Sequence, residues 1–179
     1  MNVVEKKYRD TPIINPKYAK HLSNYINLLQ QNGRVLEAKY FFQELLTLKP
    51  KSINTYITGY KLAIKTFDNQ MVGKFDNSLM EKKSKTEILH CLRLEYYYSV
   101  NNQRCFEELL THMLTSPRLS ENSLRLILQL VLEQGDYQPI SSLFKYLKTK
   151  NKYLNKAAES KVRNVVLQRL VDSLVKVTL

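Results

Sequence analysis

The chain has 179 residues, and its 28 Lys and Arg against 16 Asp and Glu give a net charge of +12. This length suits one ordinary domain or a short array of repeats with a buried core. Hydrophobic residues make up 44%, with only four Gly and five Pro, which argues against disorder and against an all-β chain rich in tight turns. The basic excess attracts nucleic acid, anionic membranes or acidic proteins without choosing among them.

Cysteine usage and the N-terminal segment bear on the compartment. The two cysteines, Cys91 and Cys105, form no disulfide framework and no C-x-x-C pair, which predicts a reducing, intracellular location. Glu5 and Asp10 interrupt any cationic presequence pattern, and no apolar segment resembles a secretory signal. No apolar run approaches the ~20 residues needed to span a bilayer, so we expect no membrane insertion. Mitochondrial, cytoplasmic and nuclear locations all stay open.

The first strong pattern in the chain is a helical hairpin. Apolar residues at helical spacing precede Gly33, which is typical of the left-handed residue that ends a helix. A second helix over about residues 35–48 places Ala38 and Phe42 on one face, and Pro50 ends it. The turn between them is so short that the two helices are predicted to be antiparallel.

The spacing of this hairpin recurs every 34 residues. Three positions of the second helix and two of the first stay apolar through four units: Ala38, Val72, Phe106, Ile140; Phe41, Phe75, Leu109, Leu143; Leu45, Leu79, Met113, Leu147; Ile26, Tyr60, Leu94, Leu128; and Leu29, Ala63, Tyr97, Val131. The turn position is less regular: Gly33, Phe67, Asn101, Gly135. The two middle turns contain Asp and Asn, which tolerate turn conformations and cap helices.

This register predicts the domain organisation. Residues 1–14 are an irregular arm, and residues 15–154 hold hairpins at about 16–49, 53–82, 85–116 and 120–149. A last helix, 155–179, carries an apolar stripe that includes Val162, Val166, Leu170 and Leu174. Such a helix either caps the exposed end of a helical stack or forms an interface with a second copy or another protein.

The first hairpin resembles a tetratricopeptide repeat, with Gly33 at the turn and Ala38 and Phe42 at the packing positions. Ile26 and Leu45 are bulkier than the residues usual in that family, and in this respect the hairpin is similar to pentatricopeptide repeats. The resemblance implies an all-α fold, a right-handed α-solenoid of about four antiparallel helix hairpins with a C-terminal capping helix. Pentatricopeptide proteins read single-stranded RNA with roughly one base per repeat.

Signatures of catalysis are missing from the sequence. It has no G-x-x-x-x-G-K phosphate loop, no G-x-G-x-x-G turn and no H-E-x-x-H pattern. Cys105, Glu108 and His112 share one helix face, but a tetrahedral zinc needs a fourth ligand, and Cys105 is more simply a small buried residue. We therefore expect no metal, no cofactor and no enzymatic activity.

Amides and cations dominate the predicted inner face of the repeats. Amides hydrogen-bond base edges or peptide backbone, cations neutralise phosphates or carboxylates, and an exposed tyrosine can stack on a base. The candidate RNA- or peptide-binding residues are Lys20, Asn24, Asn27, Gln31, Asn54, Thr58, Lys61, Lys65, Tyr98, Asn122, Arg125 and Gln129.

A lysine-rich tract follows the fourth hairpin, with Lys145, Lys148, Lys150 and Lys152 as a basic edge that is either a solvated surface or a phosphate contact. The leading hypothesis is a single-stranded RNA-binding factor in RNA metabolism or organellar gene expression. The alternative is a protein–protein interaction scaffold within a larger complex. It would dock an acidic partner or form a homo- or hetero-oligomer through the C-terminal helix.

Overall fold

The computed structural model describes residues 2–116, 119–135 and 137–149, without the side chains of Tyr137, Gln138, Phe144 and residues 147–149. All regular elements of these residues are α-helices, which confirms the all-α prediction. They are α1 (Val3–Arg9), α2 (Tyr18–Gln31), α3 (Val35–Leu48), α4 (Ile53–Lys65), α5 (Asn69–Glu81), α6 (Thr86–Ser99), α7 (Gln103–Thr115), α8 (Glu121–Gln134) and α9 (Tyr137–Thr149).

Eight of these helices, α2 to α9, lie inside the four predicted hairpin ranges. The chain divides into two compact units, Met1–Val100 and Asn101–Leu179, and the boundary falls between α6 and α7, inside the predicted third hairpin. The predicted helix over 155–179 lies outside the described residues. None of the helices described is both long and apolar enough to cross a membrane.

In the first unit, α2, α4 and α6 form a layer of parallel helices. The antiparallel partners of α2 and α4 are α3 and α5, and α3 and α5 also contact the helix that follows each of them. Helix α4 contacts both α2 and α6. The hydroxyls of Ser23 and Thr58 lie 2.7 Å apart, and each is the sixth residue of its helix. Short turns place α3 antiparallel to both α2 and α4, so α2 and α4 run parallel, and this hydrogen bond joins them at a similar level.

The apolar positions predicted from the 34-residue register form the core. Leu147 aside, fourteen of these nineteen side chains are buried and none is exposed. Those of α2 to α5 belong to one hydrophobic cluster with Tyr18, Leu22 and Leu89. Burial at a fixed position in successive helix pairs is the arrangement that the period predicts.

Gly59, in the middle of α4, allows two aromatic rings to approach the helix backbone. A Cβ atom at this position would lie 2.5 Å from Cζ of Phe75 and 2.6 Å from Cζ of Phe42. The two rings meet edge to face, with centroids 6.0 Å apart. Since real Cβ contacts are longer than this, no side chain fits at Gly59 unless the core moves.

A polar network connects α4, α5 and α6. The guanidinium of Arg93 donates to both carboxylate oxygens of Asp76, at 2.9 and 2.6 Å, and the Tyr60 hydroxyl donates to the same carboxylate at 3.2 Å. Both charged side chains are mostly shielded from solvent. Burial and the neighbouring carboxylate raise the pKa of Tyr60, so its hydroxyl stays a donor.

All four positions of the turn column adopt the left-handed conformation. The φ angles are +74° at Gly33, +53° at Phe67, +53° at Asn101 and +79° at Gly135. After α2, the amides of Gly33 and Arg34 bond the carbonyls of Gln30 and Leu29, the paired hydrogen bonds of a Schellman motif. The prediction for Gly33 is confirmed.

Phe67 forms the corresponding motif after α4. The amides of Phe67 and Asp68 bond the carbonyls of Ile64 and Ala63. The Asp68 side chain then caps α5 by accepting from the amide of Met71 at 3.0 Å. The 34-residue period is therefore a property of the backbone even where the residue type changes.

The prediction of an irregular arm over residues 1–14 is wrong for Val3–Arg9, which forms α1. The Asn2 side chain caps this helix, and Glu5 and Arg9 form an ion pair one turn apart. Tyr8 stacks on Tyr25 with ring centroids 4.7 Å apart. A helix this short is unstable alone, so its packing on α2 is what stabilises it.

In the second unit, α9 packs against both α7 and α8. The buried core of the second unit includes Phe106, Leu110, Met113, Ile127 and Leu143. The Ser120 side chain caps α8, and Gly135 ends that helix in the left-handed conformation.

Candidate binding surface

Five lysines recur at one edge of the first unit. Lys17, Lys51 and Lys85 are spaced by 34 residues, and so are Lys49 and Lys83. Each precedes α2, α4 or α6 by no more than four residues. All five are exposed, and in the described part of the chain none of them takes part in an ion pair. We call these five residues the lysine ridge.

The amino ends of α2, α4 and α6 lie at the edge that carries the lysine ridge, because the three helices run parallel. Neighbouring helices in such layers are about 10 Å apart. A helix amino end carries a partial positive charge from aligned peptide dipoles, and its first amides lack intrahelical acceptors. Helix ends and lysines of the same sign combine here into one strip of positive potential. Within three residues of any ridge lysine, the only acidic residues in the sequence are Glu81 and Glu87.

A second group of charges lies farther along the same helices. Asn27, Lys61 and Glu95 follow one another at the 34-residue spacing, on α2, α4 and α6. Lys61 and Glu95 are half-buried, and Lys65, one turn beyond Lys61, is exposed. The structure thus brings two cations and one carboxylate together on one face of the layer.

The carboxyl group of Glu95 is in an unusual environment. Burial raises its pKa, while the charges of Lys61 and Lys65 act in the opposite direction. No ion pair or hydrogen bond joins Glu95 to either lysine among the interactions of the described residues. The carboxylate therefore keeps its capacity to accept hydrogen bonds from a ligand.

Two amide atoms of α2 also lack partners. The side-chain oxygen Oδ1 of Asn27 and the nitrogen Nε2 of Gln30 are buried without a hydrogen bond among the described residues. An unpaired buried polar atom costs free energy comparable to a lost hydrogen bond. These two atoms add one acceptor and one donor to this part of α2.

The predicted inner-face residues of the first unit have different environments. Lys20, Asn24, Gln31, Asn54 and Lys65 are exposed, and Asn27, Lys61 and Tyr98 are half-buried. Thr58 is buried, because its hydroxyl bonds Ser23 and the carbonyl of Asn54. We therefore leave Thr58 out of the candidate surface.

The remaining predicted residues lie in the second unit or outside the described residues. Asn122, Arg125 and Gln129 are exposed on α8, where Arg125 pairs with Glu121 and Gln129 donates to Glu133. Lys145 is exposed on α9. The Lys148 side chain, Lys150, Lys152 and the stripe of Val162, Val166, Leu170 and Leu174 lie outside the described residues.

A metal site finds no support in the part of the chain that is described, which contains no group of three metal-ligating side chains close enough to hold an ion. Glu108, one of the three residues of the metal-like pattern, pairs with Arg104 at 2.9 Å.

The sequence reasoning did not select the lysine ridge or Glu95. Both were visible in principle, because Lys17, Lys51 and Lys85 keep the 34-residue spacing and Glu95 follows Lys61 by the same interval. Searching the period for recurring charges as well as for apolar residues would have found the ridge.

The sequence matches no protein-family model and no curated protein, and the structure matches no solved structure.

Proposed function

We propose that the chain is a non-enzymatic binding module that holds single-stranded RNA across α2, α4 and α6. The observation that carries this proposal is the lysine ridge, whose exposed, unpaired cations recur beside three parallel helix amino ends. Phosphates are the ligands that such an edge attracts most strongly. In this account the ridge binds the RNA backbone, while Asn24, Asn27 and Lys61 meet the bases.

The proposal includes the repeat class. The hairpins of the first unit would be tetratricopeptide- or pentatricopeptide-like and stack with a right-handed twist. Supporting observations are the 34-residue register, the parallel packing of α2 with α4, and the left-handed residue at each turn. The lysines of the ridge follow one another along a single edge of the helix layer. A single strand can extend along such an edge, with its phosphates contacting successive lysines, so the ridge suits an extended strand better than a folded duplex.

The experiment measures affinity for a single-stranded RNA oligomer as a function of salt. The triple variant Lys17→Glu, Lys51→Glu, Lys85→Glu should weaken binding, and the slope of log affinity against log salt should shrink by about 2, at roughly 0.7 for each lost phosphate contact. The net charge falls from +12 to +6, because each exchange changes it by −2.

A matched control separates local contacts from net charge. Lys7→Glu, Lys39→Glu, Lys74→Glu makes the same change at exposed lysines of α1, α3 and α5. We expect this control variant to keep most of the wild-type slope of log affinity against log salt. If both triple variants lose RNA affinity equally, net charge and not the lysine ridge determines binding. A wild-type chain that binds no RNA at low salt would overturn the RNA-binding function itself.

A second candidate function is a scaffold for protein partners. It is favoured by Leu36 and Tyr40, which lie one turn apart on α3 with 83% and 72% of their surface exposed. Isolated exposed apolar residues are common, so this observation is weaker than the ridge. Binding of a protein that survives high salt and is lost in Leu36→Ser, Tyr40→Ser would favour the scaffold.

A further inference from the structure

The face that carries Lys61, Lys65 and Glu95 is not uniformly cationic. A surface that only neutralised phosphates would have no use for a carboxylate, since like charges repel the ligand. Glu95 follows Lys61 at the 34-residue spacing, and its helix α6 packs against α4, which carries Lys61 and Lys65.

The surroundings of Glu95 leave its acceptor capacity unused. The side chain is half-buried, and the nearby cations Lys61 and Lys65 do not form an ion pair with it in the described region. An ionised carboxylate accepts hydrogen bonds only, whereas a lysine ammonium donates only. Glu95 and Lys61 thus offer an acceptor and a donor that influence each other electrostatically across two packed helices, at a partly desolvated position.

Base edges differ in how they fit such a pair. Cytosine presents an N4 amino donor beside the acceptor N3, and a carboxylate accepts well from that amino group. Uracil presents the carbonyl oxygen O4 in the same place. Because O4 and the carboxylate oxygens are all hydrogen-bond acceptors, no hydrogen bond can form between them. Proteins that recognise single strands read these Watson–Crick edges on unstacked bases.

We infer that Glu95 and Lys61 form a base-selective position, which favours bases with an exocyclic amino group over uracil. Glu95 accepts from the amino group, and Lys61 donates to the adjacent ring nitrogen. This inference rests on the proposed RNA binding and adds a selectivity that the lysine ridge alone cannot supply, because phosphate contacts carry no base information.

The test compares oligocytidine with oligouridine, which have the same backbone and ring size. The full-length wild-type chain should bind oligocytidine about tenfold more tightly, the scale of one good base contact. In Glu95→Gln the amide can donate to O4 of uracil as well as accept. The ratio should therefore fall to about one, while overall affinity is kept or increased by the loss of a negative charge.

Glu81→Gln is the matched control. It removes the same charge at an exposed residue at the end of α5, and it should change both affinities together without changing their ratio. Thermal melts confirm that both variants fold. Equal wild-type affinities for the two oligomers, or a preference that survives Glu95→Gln, would overturn the inference. Absence of binding to both oligomers would instead overturn the proposed function.

Discussion

The first and second hairpins share one backbone plan but exchange the positions of small and large residues. In the first hairpin, α2 carries Tyr25 and α3 carries Ala38; at the equivalent positions of the second, α4 carries Gly59 and α5 carries Val72. The small residue has moved from the second helix of the pair to the first. Total volume and polarity pattern matter more to such a core than the identity of any one residue.

The turns show the same exchange. Gly33 adopts its positive φ without steric cost, while Phe67 adopts the same conformation with a side chain that is 72% exposed. The comparison teaches that the repeated backbone imposes the conformation and that the second hairpin stabilises it by packing elsewhere. Three pairs of variants test this difference.

The largest effect is expected at Gly59. Gly59→Val should lower the free energy of unfolding by about 3 kcal/mol, because the rings of Phe42 and Phe75 occupy the space of the new side chain. Gly73→Val, in the exposed part of α5 with no atom within 4 Å of the new Cβ, should stay within about 0.5 kcal/mol of wild type. Urea titrations measure both. Equal effects at the two glycines would show that Gly59 is not a packing position.

A smaller loss is expected from the polar network that only the second hairpin makes with α6. Arg93→Ala leaves the Asp76 carboxylate partly buried and unpaired, and should cost about 2 kcal/mol, between the values for exposed and buried pairs. Arg34→Ala, which breaks the exposed pair with Glu37 in the first hairpin, should leave the stability almost unchanged, because solvent screens that pair. If both variants melt alike, the network adds nothing beyond a surface pair.

The smallest effects are expected at the turns, and there they have opposite signs. Phe67→Gly relieves left-handed strain and should stabilise the chain by about 0.5–1 kcal/mol, whereas Gly33→Ala introduces that strain and should destabilise it by about 1 kcal/mol. Midpoints from chemical denaturation report the signs directly. A Phe67→Gly variant less stable than wild type would mean that the phenylalanine ring makes a stabilising contact.

Much of the fold could be predicted because its period is long and its apolar positions are strict. Ile26, Tyr60 and Leu94 are buried at 34-residue spacing, as expected. Helix α1 could not be predicted in this way, since seven residues hold too few turns for periodicity, and its stability comes from the contact of Tyr8 with a distant tyrosine.

The candidate surface was less predictable than the core. Thr58 has the polarity of a surface residue, yet its hydroxyl is buried against Ser23, a pairing that only the register of two helices reveals. Glu95 follows Lys61 at the 34-residue interval, yet the apolar positions that define the period do not show that an acidic side chain is half-buried near two lysines. Polar side chains obey the repeat less strictly than apolar ones, because solvent accepts them on any exposed face.

The helices that pack together in the first unit are neighbours or next neighbours along the chain, as in the pairs α2 with α3 and α2 with α4. In kinetic terms, assembly then requires the closure of short loops only, and little chain entropy is lost before each contact forms. Domains built from such local contacts fold in microseconds to milliseconds. Each hairpin can therefore serve as the template on which the next one forms.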